Sequence, residues 1–150
     1  MRNMRWLSLC VLPLAFLTGA CDEKLSDLTG PTPNLQPTFT SIQREIFNTQ
    51  DSSGRLACVQ CHTNVGRTPA AGLNLVEGAA YAALVGRPSG QKPGAVLVIP
   101  GDPDRSYIVN KLEGAPDIVQ LRMPRNNGPF LTEGQMAVIR RWIAQGADNN

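Results

Sequence analysis

CVQCH, at residues 58–62, is the stretch around which this 150-residue chain is organised. A Cys-x-x-Cys-His sequence is the attachment motif of c-type haem. The spacing suits that chemistry, because the two thiols can add to the two vinyl groups on one edge of a porphyrin. If the segment is helical, residues 58, 61 and 62 share one face, and His62 can present a ring nitrogen to the iron. The motif therefore predicts one covalently bound haem c, held by Cys58 and Cys61 and ligated by His62.

Three other kinds of site use a Cys-x-x-Cys sequence, and each fits this chain less well. A thioredoxin-like redox pair is expected beside a βαβ pattern, which the sequence lacks. A structural zinc site needs four Cys or His ligands, whereas the mature chain would offer only the three residues of the motif and Cys21. A plain disulfide between Cys58 and Cys61 would leave His62 without a role.

The composition describes a small domain with a modest core. The length predicts a single domain. Aromatic residues make up only 5% of the chain, whereas glycine and proline are frequent. A buried macrocycle would supply the missing apolar surface, as metals and other staples do in small domains. Without Arg2 and Arg5 the basic and acidic side chains balance, so no basic patch argues for nucleic acid.

Residues 1–20 have the layout of a secretory signal, with two arginines, an apolar run and then small residues. The apolar run, residues 6–17, is shorter than the roughly 20 residues that a membrane span needs. Leu17-Thr18-Gly19-Ala20-Cys21 resembles a bacterial lipoprotein cleavage site, which would leave Cys21 as the lipidated first residue. An ordinary signal peptidase could also cut after the same small residues. Both alternatives predict export, to the periplasmic side of a bacterial membrane with a lipid anchor, or as a soluble periplasmic or secreted protein.

The rest of the chain divides into a linker at 21–38 and a mostly α domain at 39–150. Prolines in the linker favour extended conformations and predict a flexible tether. In the domain, residues 95–99 form an apolar run that suits a strand or a buried extended segment. Helices are expected at 40–47 with Thr38 or Thr40 as the cap, at 77–85, from a cap at Asp102 to Gly114, and after a capping box at Thr132-Glu133-Gly134-Gln135.

A c-type haem in an electron carrier usually has a second axial ligand. His62 is the only histidine in the chain, so a methionine thioether is the natural alternative, and it raises the reduction potential. The two N-terminal methionines belong to the signal segment. Met136 lies on the apolar stripe of the last helix, where methionine is more often core filler. Met123 lies in an irregular loop that could carry its sulfur over the face opposite His62, and it is the predicted ligand.

Taken together, residues 39–147 resemble a single-haem, class I-like cytochrome c. More narrowly, they resemble the cytochrome c-type domains found in many environmental bacteria, including planctomycetes. The resemblance implies a mostly α fold whose first and last helices pack together beside the haem. It also implies that Cys58 and Cys61 hold the haem and that His62 and Met123 are its axial ligands. The matching segments, in order, are Cys58 to His62, Ala71 to Leu75, Pro100 to Tyr107, Arg122 to Pro124 and Trp142 to Ala147.

The sequence thus predicts an electron carrier rather than an enzyme, because both axial positions would be filled. Its partners would be redox proteins and, through Cys21, a membrane. A peroxidase-like haem enzyme, which would need an open sixth position, and a haem-bearing sensor or assembly module stay as alternatives. Arg67, Arg122 and Arg125 are candidates for contact with the haem propionates or for plain surface charge.

Overall fold

The computed structural model describes residues 30–32 and 34–150. In this part of the chain the regular secondary structure is helical and its only β pairing consists of isolated bridges, which is consistent with the predicted mostly α class. The predicted signal peptide at 1–20 and Cys21 lie outside the described residues. Within the predicted linker, Thr32 and Leu35 are buried, and Leu35 belongs to the hydrophobic core. Among the described residues the α-helices are α1 (Phe39–Ile42), α2 (Ala80–Leu84), α3 (Tyr107–Glu113) and α4 (Glu133–Ala144).

Helix α1 begins close to the predicted position and then changes form. Thr38 is the capping residue, and its hydroxyl accepts a hydrogen bond from the backbone N–H of Ser41. After α1 the chain widens into a π-helical turn, Gln43–Phe47. π-turns of this kind occur frequently at functional sites. The turn buries Ile46 and Phe47, and both side chains reach the cavity described below.

Helix α3 begins later than the sequence predicts, and the expected cap at Asp102 is wrong. The Asp102 carboxylate does accept a capping hydrogen bond, from the backbone N–H of Arg105 three residues later, but within a turn that precedes the helix. The Ser106 hydroxyl donates to the Asp102 carbonyl and keeps residue 106 extended, so the first helical residue is Tyr107. Gly114 ends the helix as predicted, in the left-handed conformation with a φ of 78°.

Helix α4 is the element that the sequence predicts best. Both hydrogen bonds of the capping box between Thr132 and Gln135 are present. Trp142 is buried as expected for a core residue. Its ring centroid lies 5.5 Å from that of Phe39, so α1 and α4 meet through these two rings.

Helix α2 is shorter than the predicted 77–85, since residues 77–79 form a turn before it and the chain leaves the helix after Leu84 to pair with the segment at 95–99. Val85 bridges Val98, and Pro88 bridges Val96. Val98 is fully buried, which confirms the prediction of a buried extended segment. This pairing holds residues 87–91 beside the cavity.

Candidate functional site

A cavity of about 1230 Å³ opens beside the Cys-x-x-Cys-His motif. Cys58, Cys61 and His62 line it, and Met123 lines it as well. Met136 does not, because its side chain is buried in the hydrophobic core. Small-molecule pockets commonly measure roughly 300–1,000 Å³, so this cavity is large enough for a macrocycle. The structure therefore brings together the four residues that the sequence singled out for a haem and its iron.

The motif itself forms a single helical turn. Residues Cys58–Gln60 make a 3₁₀ turn, and the backbone N–H groups of Cys61 and His62 both donate to the Cys58 carbonyl, at 3.2 and 2.9 Å. The bond from His62 spans four residues, as in an α-helix. This turn is what brings the two thiols and the imidazole to the same cavity.

Both cysteines are free thiols in the structure. Burial raises the pKa of the Cys58 thiol to about 11, although the nearby Arg55 guanidinium opposes this effect. The thiol is therefore protonated at neutral pH. The nucleophilic cysteine of a thioredoxin-like pair needs the opposite, a lowered pKa, so the surroundings of Cys58 argue against that interpretation of the motif.

The imidazole of His62 is oriented by a hydrogen bond to the backbone. Its Nδ1 lies 3.1 Å from the carbonyl oxygen of Ala70. Because a carbonyl can only accept, Nδ1 carries the proton in this contact and Nε2 keeps its lone pair. Burial lowers the pKa of His62, backbone hydrogen bonds with Leu73 and Ala70 oppose that shift, and the charge of Lys111 adds to it. The ring is therefore neutral at pH 7, which is the form that binds a metal.

The backbone around His62 is fastened to the π-turn. The backbone N–H of Leu75 donates to the His62 carbonyl at 2.8 Å. The carbonyl of Leu75 in turn accepts a hydrogen bond from the side-chain amide of Gln43 at 2.9 Å. Because Gln43 is buried in the π-turn, these bonds connect that turn to the segment that carries the imidazole.

Arginines surround part of the cavity. Of the three candidates from the sequence, Arg67 and Arg125 line it. Arg122 does not, since its Nε donates to a carbonyl of α3 and its guanidinium carbon lies 4.0 Å from the ring centroid of Phe130. Arg87 also lines the cavity, and nothing in its sequence context marked it.

Arg55 is a second residue that the sequence did not reveal. Its Nε donates to the Asp51 carboxylate at 2.9 Å, and only 1–2% of either side chain is exposed. Its remaining N–H groups reach backbone carbonyls, including that of Ile46 in the π-turn at 3.1 Å. Burial alone would raise the pKa of Asp51, but hydrogen bonds from Ser53 and the charge of Arg55 outweigh it and lower the pKa. This ion pair fixes the chain just before the motif.

Lys111 is the third residue of the site that the sequence analysis did not identify. It is buried on α3, and its side chain lines the cavity. Burial lowers the pKa of its ammonium group, and the charge of Arg125 adds to that effect. A sequence signal existed, because residues 107, 108, 111 and 112 share the face of α3 that is otherwise apolar.

The chain matches no protein-family model, no curated protein and no solved structure. Within residues 30–32 and 34–150, no group of three or more His, Cys, Asp and Glu side chains is arranged to hold a metal ion. Over the same residues, no helix has the length and apolar character needed to cross a membrane.

Proposed function

We propose that the protein is an electron carrier outside the cytoplasm that holds one covalent c-type haem. In this proposal Cys58 and Cys61 bind the haem, and His62 and Met123 ligate its iron. The observation that carries the proposal is that these four side chains line one cavity, although Met123 is distant from the motif in sequence. When bound, the haem would supply a one-electron iron couple.

The residues around the cavity fit such a group. An imidazole and a thioether form a common axial pair for haem iron in electron-transfer proteins. The apolar walls would exclude water from a flat macrocycle, and the neighbouring arginines could pair with its carboxylates. The apolar side chains include Ile46, Phe47, Leu73, Leu75, Leu112 and Leu131.

The protein's own groups would set the properties of the site. The Ala70 carbonyl fixes the tautomer and orientation of His62 and would make Nε2 a better ligand. The thioether of Met123 would favour the reduced state and raise the reduction potential. With both ligands bound, no coordination position would be left for a substrate, which suits electron transfer better than catalysis.

The cellular location is proposed from the N-terminal sequence. The signal-like residues 1–20 would direct export, and Cys21 would carry a lipid anchor on the periplasmic side of a bacterial membrane. Several acyl chains on one residue give durable anchoring where one chain does not. A soluble periplasmic protein is the alternative, and the intact mass of the mature chain distinguishes the two.

The test is to produce the full chain in a host that has c-type haem attachment machinery and to record its mass and visible spectrum. We expect one haem per chain. Cys58→Ser and Cys61→Ser should each leave at most one thioether bond, and the variant with both changes should release the haem when it is denatured. Cys21→Ser is the matched cysteine control and should keep the haem while losing any acyl mass. Colourless protein with both motif thiols still titratable would rule out the proposal.

A further inference from the structure

The loop that carries Met123 is fastened to helix α3 through its backbone. The backbone N–H of Met123 donates to the carbonyl of Lys111 at 2.9 Å. The N–H of Val119 donates to the hydroxyl oxygen of Tyr107 at 2.9 Å. The residues on either side of the turn at 120 are therefore both tied to the same short helix.

The ammonium group of Lys111 binds two backbone carbonyls of the same turn. Its Nζ donates to the carbonyl of Val119 at 2.9 Å and to that of Leu121 at 2.6 Å. Gln120, between them, has a φ of 63°, a left-handed conformation that is uncommon outside glycine. In this turn the carbonyls on both sides of Gln120 come within reach of one cation.

Lys111 makes these contacts in surroundings that do not otherwise favour a cation. Only 7% of the residue is exposed. Among the described residues no carboxylate forms an ion pair with it, and the charged group that acts on it is the like-charged Arg125. A buried cation is costly unless its hydrogen bonds compensate, so the two loop carbonyls are the interactions that hold the ammonium group there.

We infer that Lys111 is a positioning residue for the axial methionine. It holds residues 119–121 against α3 and thereby controls how readily Met123 leaves the iron. The inference rests on the proposed function, because it gives Lys111 a role in the strength of the bond between Met123 and the iron. It assigns Lys111 no direct contact with the metal.

The test compares the haem-bearing parent with Lys111→Met, which keeps the apolar stem and removes every donor. Arg140→Gln is the matched control, because Arg140 is a basic residue tied to α3 through Glu113 and has no contact with the loop. Two quantities are measured on the ferric proteins: the rate at which added imidazole displaces Met123, followed by loss of the sulfur-to-iron absorption band, and hydrogen exchange at the amides of Val119 and Met123.

Loss of two charge-assisted hydrogen bonds should raise both quantities in Lys111→Met by about tenfold or more. Arg140→Gln should stay within about twofold of the parent, since the two ion pairs it breaks, with Asp104 and Glu113, are partly exposed and screened by solvent. Lys111→Arg, which keeps the charge but presents a planar fork, should fall between the parent and Lys111→Met. If Lys111→Met does not accumulate, Lys111→Gln is judged by the same criterion.

The outcomes separate this inference from the proposed function. If the parent carries the sulfur-to-iron band and Lys111→Met matches it in displacement rate and amide exchange, the role of Lys111 is wrong and the proposed function stands. If the parent binds haem without that band, ligation by Met123 fails, and the inference fails with it.

Discussion

Met123 and Met136 are the same side chain in two different surroundings. Met136 is packed in the hydrophobic core on α4. Met123 lies in a loop, is partly buried and lines the cavity. We predict that Met123→Ala abolishes the sulfur-to-iron band and lowers the reduction potential, because a soft thioether ligand is lost. Absorption spectra of the ferric protein and a redox titration measure both effects.

Met136→Ala is the matched control for that prediction. It should leave the band and the potential close to those of the parent, while the cavity it creates lowers the free energy of unfolding by about 2–5 kcal/mol. Reversed behaviour of the two variants would assign the ligand to Met136. The peroxidase-like alternative makes a different prediction, namely that the parent reacts with peroxide as fast as Met123→Ala, since its sixth position would already be open.

Asp51 and Arg55 form a buried ion pair next to the motif. Removing one partner leaves the other charge buried, so Asp51→Asn should lower the free energy of unfolding by about 3–5 kcal/mol. Because the pKa of Asp51 is lowered on folding, the pair stabilises the protein above the ordinary carboxyl pKa of 3.8. That contribution is lost as the pH falls from there through the pKa of the folded state.

Denaturant unfolding at neutral pH and in mild acid measures this prediction. The difference between the parent and Asp51→Asn should shrink as the pH falls below 3.8. Asp117→Asn is the control, because Asp117 is exposed in its pair with Lys92, and it should change stability little at either pH. A difference between parent and Asp51→Asn that does not depend on pH would show that the pair contributes through packing alone.

At the scale of single elements, Gly114 joins the end of α3 to the loop of Met123. Its φ is 78°, and a Cβ added there would lie 2.9 Å from Cδ of Arg122. Arg122 is the neighbour of Met123, and its Nε bonds the carbonyl of Leu112 at 2.7 Å. A side chain at position 114 should therefore disturb the methionine loop in addition to straining the backbone.

We predict that Gly114→Ala destabilises the protein more than Gly54→Ala and weakens the sulfur-to-iron band. Gly54 is the matched control, because its φ is 85° but a Cβ there would meet nothing within 4 Å. Gly54→Ala should lower the free energy of unfolding only by what a left-handed alanine costs, about 1–2 kcal/mol. It should leave the spectrum unchanged. Equal losses of stability and unchanged spectra in both variants would mean that Arg122 yields without moving the loop.

The sequence predicted the elements whose signals are local. The capping box of α4 involves residues only three positions apart, and Gly114 ends α3 through its own backbone conformation. The start of α3 was mispredicted because Asp102 caps only a turn, and the extended backbone of Ser106 separates that turn from the helix. Side chains such as Asp can bond nearby backbone groups in turns as readily as at helix caps, and sequence alone does not decide between them.

At the scale of the whole molecule, the same distinction separates the parts of the site. Cys58, Cys61 and His62 were found because their chemistry is written in adjacent positions. Lys111 was visible only as a polar residue on an apolar helix face, and its partners are loop carbonyls whose position depends on the turn at Gln120. No sequence pattern indicates that Arg55 is buried, because its burial depends on contacts with the π-turn in the folded chain. Apart from the position of Met123 and the contact between α1 and α4, the sequence did not supply the contacts between distant segments.

The cavity joins these segments and gives the last prediction. Several partly buried apolar side chains, including Leu73, Leu97 and Ile108, form its walls. Without a bound group, water would wet those walls, and each large apolar side chain left wet forfeits up to about 1.5–3 kcal/mol of burial. Since a domain's whole stability is about 5–15 kcal/mol, the haem-free chain should lose fixed packing rather than keep an open cavity.

The matched comparison is the same chain produced with and without haem attachment. The haem-free form should keep part of its helical far-UV signal, bind a hydrophobic dye and unfold with a smaller denaturant dependence, because less surface is buried in its compact state. Helix α4, with its own capping box, should be the last to lose amide protection. If instead the haem-free chain unfolds cooperatively at the same temperature and with the same denaturant dependence, the fold maintains the cavity without any cofactor.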